Sequence, residues 1–521
     1  MAGLDPGPPR VLFALLVAVS SVMLGAALSF APASRGLLGY MRTFATLAAL
    51  AVVLTHLLPE ALHALGPLSI LLFLAGWFAP VLAHLIGQRT TQGRPAHAVL
   101  EAGYWGLVVH HVADGIGLGT YTRLPSAGGS HLDVIVALAA HTVPLIAVVS
   151  LAYRTTFGAR SALTRSFGLA LASVFGIALS SLVDAHTIER FAPVIAAVAA
   201  GLLLHVVTHD LTEDAPSGAL ARTVDLGVAV LGVAVSFLGI ERNSDPIAWA
   251  FAGQLTDLVS RTALVILVGL FAAAFSLRIS DRTWKYARLM QPAAALGSDA
   301  LLLGLSLFGF VTTGLRVLLT ALVLPVLAGA SEPELEPPPQ GWYARWSETL
   351  SRTGPWLVLG LVVGALLSAV PPSNASLRLL GSLGELVLIA LIANVTPAAA
   401  PAALLIALGL SRLGLSPGAA LLFMTLAPLF AGRTLSLRQR LPITALVFAA
   451  AWLSNFFRLS SAPLDGALSA LDPGKRVALG LAAILVFGVW QRGARRWLST
   501  IVKTPAHEHE HAHDVHGPHA H

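Results

Sequence analysis

Runs of about 17 to 25 apolar residues, separated by short turns rich in Gly, Pro and Arg, recur from one end of this chain to the other. One helix needs a run of that length to cross a hydrocarbon layer ~30 Å thick, because each helical residue advances only ~1.5 Å. Inside that layer the backbone must satisfy its own N–H and C=O groups, so a chain with many such runs folds as a bundle of spanning helices. Composition agrees: 56% of the 521 residues are hydrophobic, 11% are charged and the mean hydropathy is +0.78. A soluble domain carries about 25% charged residues. The expected fold is all-α and polytopic, integral to a membrane, taken to be a bacterial inner (cytoplasmic) membrane. The sequence has no cysteine, which excludes disulfides and thiolate metal sites; a metal would rest on nitrogen and oxygen. The formal charge of +6 is mostly arginine in the turns and reports orientation rather than nucleic-acid binding.

In the first half, eight runs read at 11–29, 38–62, 67–87, 98–120, 132–153, 164–183, 190–210 and 222–240. With the N-terminus outside, Arg35, Arg42, Arg89, Arg94, Arg154, Arg160, Arg165 and Arg222 fall on the cytoplasmic side. Only Arg10, Arg123, Arg190 and Arg242 then fall outside, as the positive-inside rule prefers. Further runs follow Asn243, and the segment 331–353, which opens SEPELEPPPQ, is expected as a loop between them. This second half carries an internal repeat. Pro292-Ala-Ala-Ala leads to Gly314 and Pro325, and Pro397-Ala-Ala-Ala leads to Gly418 and Pro428; paired Gly/Pro-interrupted apolar segments point to transporter architecture. Three regions result: a membrane domain over 1–240, a second over 241–500, and a tail over 501–521.

Eleven of the 18 histidines lie between His56 and His209, and the other seven fall in the last 15 residues. The focal stretch is YWGLVVHHVADGIGLGTY, residues 104–121. An ionisable group at such depth costs roughly 2.5 kcal/mol or more, so it faces a partner or a polar path. His110 and Asp114 stand i, i+4 on one helix face, a usable half-site for a divalent cation. The alternative is a buried His–Asp pair that only holds helices together. Other spans add THLLPEALHALG with His56, Glu60 and His63, ALAAHTVPL with His141, and GLLLHVVTHDLTED with His205 and His209. His56 and His141 each precede a proline by three residues, Pro59 and Pro144. Proline has no N–H to donate four residues back, which frees the Thr55 and Ala140 carbonyls.

These stretches, HLLPEALH, HHVADGIGLG, HTVP and AGLLLHVVTHDLTED, resemble the ZIP family of zinc/iron transporters over roughly residues 10–240. The resemblance implies an eight-helix bundle with both termini outside. It maps His110, Asp114 and His141 to metal ligands and places His111 where the family has Asn. Two positions depart from the pattern: Thr142 replaces an acid, and Leu145 replaces the His or Glu after the proline. A single metal position is therefore expected, held by His110, Asp114 and His141 with His56 or His111. In the second half, LGLSPGAALLFMTLAPL (413–429) is similar to the repeat element of a class of predicted permeases.

Glu60, His97, Glu101, His205, His209 and Asp210 are expected as pathway or secondary ligands. The tail HEHEHAHDVHGPHAH lacks the apolar residues to form a core. Its His507, His509, His511, His513 and His516 are expected to chelate divalent ions. The expected function is transport of a divalent metal ion, zinc by its donor set, with the ion as substrate and no cofactor. Two other readings remain open: an intramembrane metallohydrolase built on His56, Glu60 and His63 at i, i+4 and i+7, and a metal sensor without flux. The expected partners are the lipid bilayer, divalent metal ions and, as one candidate, a second copy of the chain; nucleic acid is not among them.

Overall fold

The computed structural model describes residues 8–30, 35–66, 68–90, 95–121, 132–182, 185–209, 216–235, 246–282, 298–327, 341–370, 381–431, 435–457, 459 and 474–502. Among them are eighteen α-helices, one π-helical turn and no strand. Among the described residues, six helical stretches are long and apolar enough, by length and composition, to cross a membrane: Val11–Phe30, Gly39–Leu65, Ala159–Leu182, Trp249–Ala274, Ala300–Val323 and Trp342–Ala369. The chain is an all-α polytopic membrane protein. It divides into two compact units, one of Met1–Trp249 with Gly493–Arg496, the other of Ala250–Arg492 with Trp497–His521.

The N-terminal unit contains α1 (Pro8–Phe30), α2 (Arg35–Val52), the π turn (Val53–Leu57), α3 (Leu58–Leu65), α4 (Leu68–Thr90) and α5 (Pro95–Tyr121). It continues through α6 (Leu132–Phe157), α7 (Ala159–Leu182), α8 (Ala185–His209) and α9 (Ala219–Val235). The most extensive packing pairs α5 with α7, α4 with α8, α1 with α6 and α2 with α9. Lipid tails are as apolar as leucine, so helices in a membrane associate where small residues let backbones touch. Gly115 and Gly119, one turn apart on α5, serve this purpose against α7. A Cβ on Gly176 would fall 2.9 Å from the Gly115 Cα, and one on Gly119 would fall 3.0 Å from the Ser180 Cβ. An apolar cluster of Leu107, Leu145, Ile146, Val149, Leu169 and Leu203 fills the interior between these pairs.

Asp225, on α9, is buried. Thr43 Oγ1 of α2 donates to its Oδ1 at 2.7 Å, and the Ala494 N–H donates to its Oδ2 at 2.8 Å. Arg495 Nε in turn donates to Thr43 Oγ1 at 3.2 Å. A buried acid is tolerable here because it is hydrogen-bonded on both oxygens and has a guanidinium one bond away.

The C-terminal unit holds most of α10 (Pro246–Arg282), then α11 (Ser298–Leu327), α12 (Trp342–Ala369), α13 (Gly381–Val395), α14 (Ala400–Arg412), α15 (Pro417–Phe430), α16 (Leu437–Phe456), α17 (Gly474–Arg492) and the part of α18 (Ala494–Val502) from Trp497 on. The expected loop over 331–353 needs correction, because the chain is helical from Trp342. Its charges sit at helical spacing, with Arg352 paired to Glu348 one turn back at 2.5 Å. Trp342 stacks on Trp346, ring centroids 5.9 Å apart, an arrangement suited to the edge of a membrane rather than its centre.

Two helix breaks in this unit share one motif. Residues 303–309 read LGLSLFG and residues 408–414 read LGLSRLG, so Gly309 and Gly414 stand 17 residues after Pro292 and Pro397. Both glycines adopt the left-handed conformation, φ 71° and 101°, which a side chain disfavours. Gly414 turns α14 into α15. Gly309 folds α11 on itself: Thr313 Oγ1 lies 3.2 Å from where a Gly304 Cβ would be, although nine residues of unbroken helix would hold them about 13 Å apart. Eleven residues past each glycine, the buried Thr320 and Thr425 hydroxyls donate to the carbonyls four residues back, at 2.8 and 2.6 Å. The buried Arg316 Nε donates to the Met424 carbonyl at 3.1 Å, the acceptor that Pro428 cannot serve. Pro292 and the Pro325 side chain lie outside the described residues.

Candidate metal-binding site

α5 runs without interruption for 27 residues, so its own ladder satisfies its backbone and no helix end calls for a polar side chain. His110 and Asp114 nevertheless lie inside the protein, with side chains 3% and 11% exposed. Their i, i+4 spacing brings His110 Nε2 to 3.3 Å from Asp114 Oδ2. That is long for a charge-assisted hydrogen bond, which closes to about 2.7–2.9 Å. It matches two ligands of one tetrahedral zinc: donors at about 2.0–2.2 Å from the ion stand roughly 3.3 Å from each other. The carboxylate supplies compensating charge and the imidazole a neutral nitrogen, a donor pair suited to a borderline divalent ion.

His111 points elsewhere. One residue on, it faces α7, with Nδ1 3.1 Å from Ser173 Oγ. Ser173 Oγ donates to the Leu169 carbonyl at 3.4 Å, an arrangement that favours the proton on His111 Nδ1. The close α5–α7 contact at Gly115 and Gly176 fixes this register and turns His110 and Asp114 onto a different face. Ser173 was not singled out from the sequence. In a Ser- and Ala-rich span its only signal is its position one turn before Gly176, on the face α5 covers.

The remaining expected ligands divide between described and undescribed atoms. His141 lies within α6 and His56 within the π turn, but their side chains are outside the described residues, as are those of His97 and His209. Asp210 and the tail residues His507, His509, His511, His513 and His516 are outside them altogether. The π turn over Val53–Leu57 carries both Thr55 and His56 immediately before Pro59, and the Leu58 N–H bonds to the Val53 carbonyl. A widened turn is how a helix absorbs the missing proline donor, and such turns occur disproportionately at functional sites. Downstream, Glu60 and His63 are exposed on α3.

Glu101 takes part in a separate cluster. It accepts from Arg165 of α7 at 2.7 Å, and the Arg165 guanidinium lies 4.8 Å from the Tyr104 ring and 5.5 Å from the Tyr153 ring. Nine helical residues are about two and a half turns, so Glu101 is on the side of α5 opposite His110. His205, half-buried on α8, meets the edge of Trp77 with centroids 5.8 Å apart. Thr142 is buried, and Leu145 belongs to the apolar core. Packing occupies the place where the resemblance puts a further ligand. Among the described residues no three His, Asp or Glu side chains converge on one point; the described part of the site is the two-donor pair. Compared with known protein families, characterised proteins and solved structures, the chain matches none.

Proposed function

We propose that the N-terminal unit carries a divalent metal cation, zinc by its donor chemistry, across the membrane through a mid-bilayer site, in the manner of a ZIP-like eight-helix bundle. The observation that carries the reading is the buried His110–Asp114 pair, whose donor atoms already stand at the separation two zinc ligands require. His141, with His56 beside its π turn, supplies the remaining donors. Thr142 and the packed Leu145 leave one metal position rather than two.

On this reading the ion sheds water stepwise as carboxylate and imidazole replace it. One carboxylate leaves the ion incompletely neutralised, and a site that binds moderately also releases. The chain acts as a transporter rather than an enzyme. The cytoplasmic His-rich tail buffers the same ion, and the arginines set the N-terminus outside. The C-terminal unit, with its paired broken helices, is a permease-like module; duplicated Gly/Pro-interrupted segments of this kind line solute sites in transporters.

The test is zinc flux into proteoliposomes. The full chain is expected to move zinc at least tenfold faster than His110→Ala or Asp114→Ala. Equal rates in all three would overturn the proposal.

A further inference from the structure

The first turn of α7 opens onto a pocket of about 330 Å³ lined by Tyr104, Arg160, Ser161, Thr164 and Arg165. Its chemistry is donor-rich. Arg160 is exposed, and among the described residues it has no ion-pair partner. Arg165 gives one guanidinium nitrogen to Glu101 and keeps others. The helix begins just past Gly158 (φ 89°), so the first amides of α7 have no acceptor inside the helix and add to the positive potential. Two guanidinium groups against one carboxylate leave a net positive pocket with hydroxyls at its wall.

Directly beneath it, the outer face of α7 is an apolar ridge. Leu163, Phe167, Leu171 and Phe175 follow each other every four residues and are 52%, 58%, 51% and 58% exposed. A cationic pocket at the head of an exposed apolar ridge about 18 Å long has the two-part chemistry of a phospholipid, with a phosphate above and a chain below. The arginine count puts this end of α7 on the cytoplasmic side, where anionic lipids are concentrated.

We infer that this pocket and ridge form a binding site for one anionic phospholipid, whose phosphate is held by Arg160, Arg165 and Ser161 and whose acyl chain lies along Phe167 and Leu171. The site lies on the opposite side of α5 from His110 and does not depend on metal transport.

Native mass spectrometry of the full chain in mixed micelles of phosphatidylglycerol and phosphatidylcholine tests it directly. The wild type is expected to retain phosphatidylglycerol preferentially, and Arg160→Gln to weaken that retention about fivefold. Phe167→Ala is expected to weaken it further in combination. Arg190→Gln, which removes another exposed arginine, should leave retention unchanged. Arg160 is exposed, so its replacement should preserve the fold, and a melting curve on each variant checks that. Equal retention of the two lipids, or equal retention by wild type and Arg160→Gln, would overturn the inference. So would complete competition by inorganic phosphate at the lipid's own concentration, because the ridge would then contribute nothing.

Discussion

The two units handle buried polar groups in opposite ways. In the C-terminal unit these groups serve broken backbone. Arg316 takes the carbonyl that Pro428 leaves without a donor, and Glu385 accepts the Ser416 N–H and hydroxyl at 2.6 and 2.8 Å where α15 begins. Asn455 accepts the Gly418 N–H at 2.7 Å. In the N-terminal unit, His110 and Asp114 sit in the middle of an unbroken helix, 3.3 Å from each other. A polar side chain at a helix break has a structural task that can be read from the break. One buried in a continuous span costs desolvation free energy that a polar partner must offset. Asp225 marks the boundary of that rule, since it lies in an apolar span of the N-terminal unit but caps the Ala494 amide.

This contrast predicts different outcomes for similar substitutions. Arg316→Ala should be the most disruptive, costing about 3 kcal/mol or more, because it empties a fully packed site and strands the Met424 carbonyl. Asp114→Ala should leave the melting temperature nearly unchanged while weakening zinc retention about 100-fold. Thermal unfolding and zinc titration on the same two variants would break the comparison if both lost stability alike.

The helix contacts rank next. Gly115→Ala puts a Cβ against the Ser173 carbonyl and the Gly176 Cα and should cost about 1–3 kcal/mol. Gly414→Ala, at φ 101°, should cost about 1–2 kcal/mol through left-handed strain alone. Gly227→Ala, on an open helical face of α9, should instead be neutral or stabilise by about 0.5–1 kcal/mol. Chemical denaturation of the three variants orders them. The smallest effect belongs to Glu101→Gln, where both partners are 34% exposed and solvent screening holds the loss under about 1 kcal/mol. Zinc flux in that variant should match wild type, because Glu101 faces away from His110.

The membrane class and the spacing of His110 and Asp114 were legible in the sequence because both are local: run length and i, i+4 periodicity need no tertiary information. The effect of Pro59 was half legible. Its missing N–H implied an irregular turn, but not that the irregularity would be a π turn carrying His56. The Ser173 partner of His111 was hidden, because it depends on which face of α7 the Gly115 contact covers. The helical start of α12 at Trp342 was missed because WYARWSETLSR is too polar to read as a span; its tryptophans and its Glu348–Arg352 spacing fit an interfacial turn of helix. The hinge glycines Gly309 and Gly414 were overlooked in favour of Gly314 and Gly418, since only the backbone angles show which glycine turns the chain.

Zinc-edge X-ray absorption on protein lacking residues 503–521, loaded with one equivalent of zinc, probes the His110–Asp114 pair most directly. A shell of nitrogen and oxygen at about 2.0–2.2 Å, with imidazole scattering that diminishes in His110→Ala, is the predicted result. The same spectrum and the same retained zinc in both proteins would contradict it.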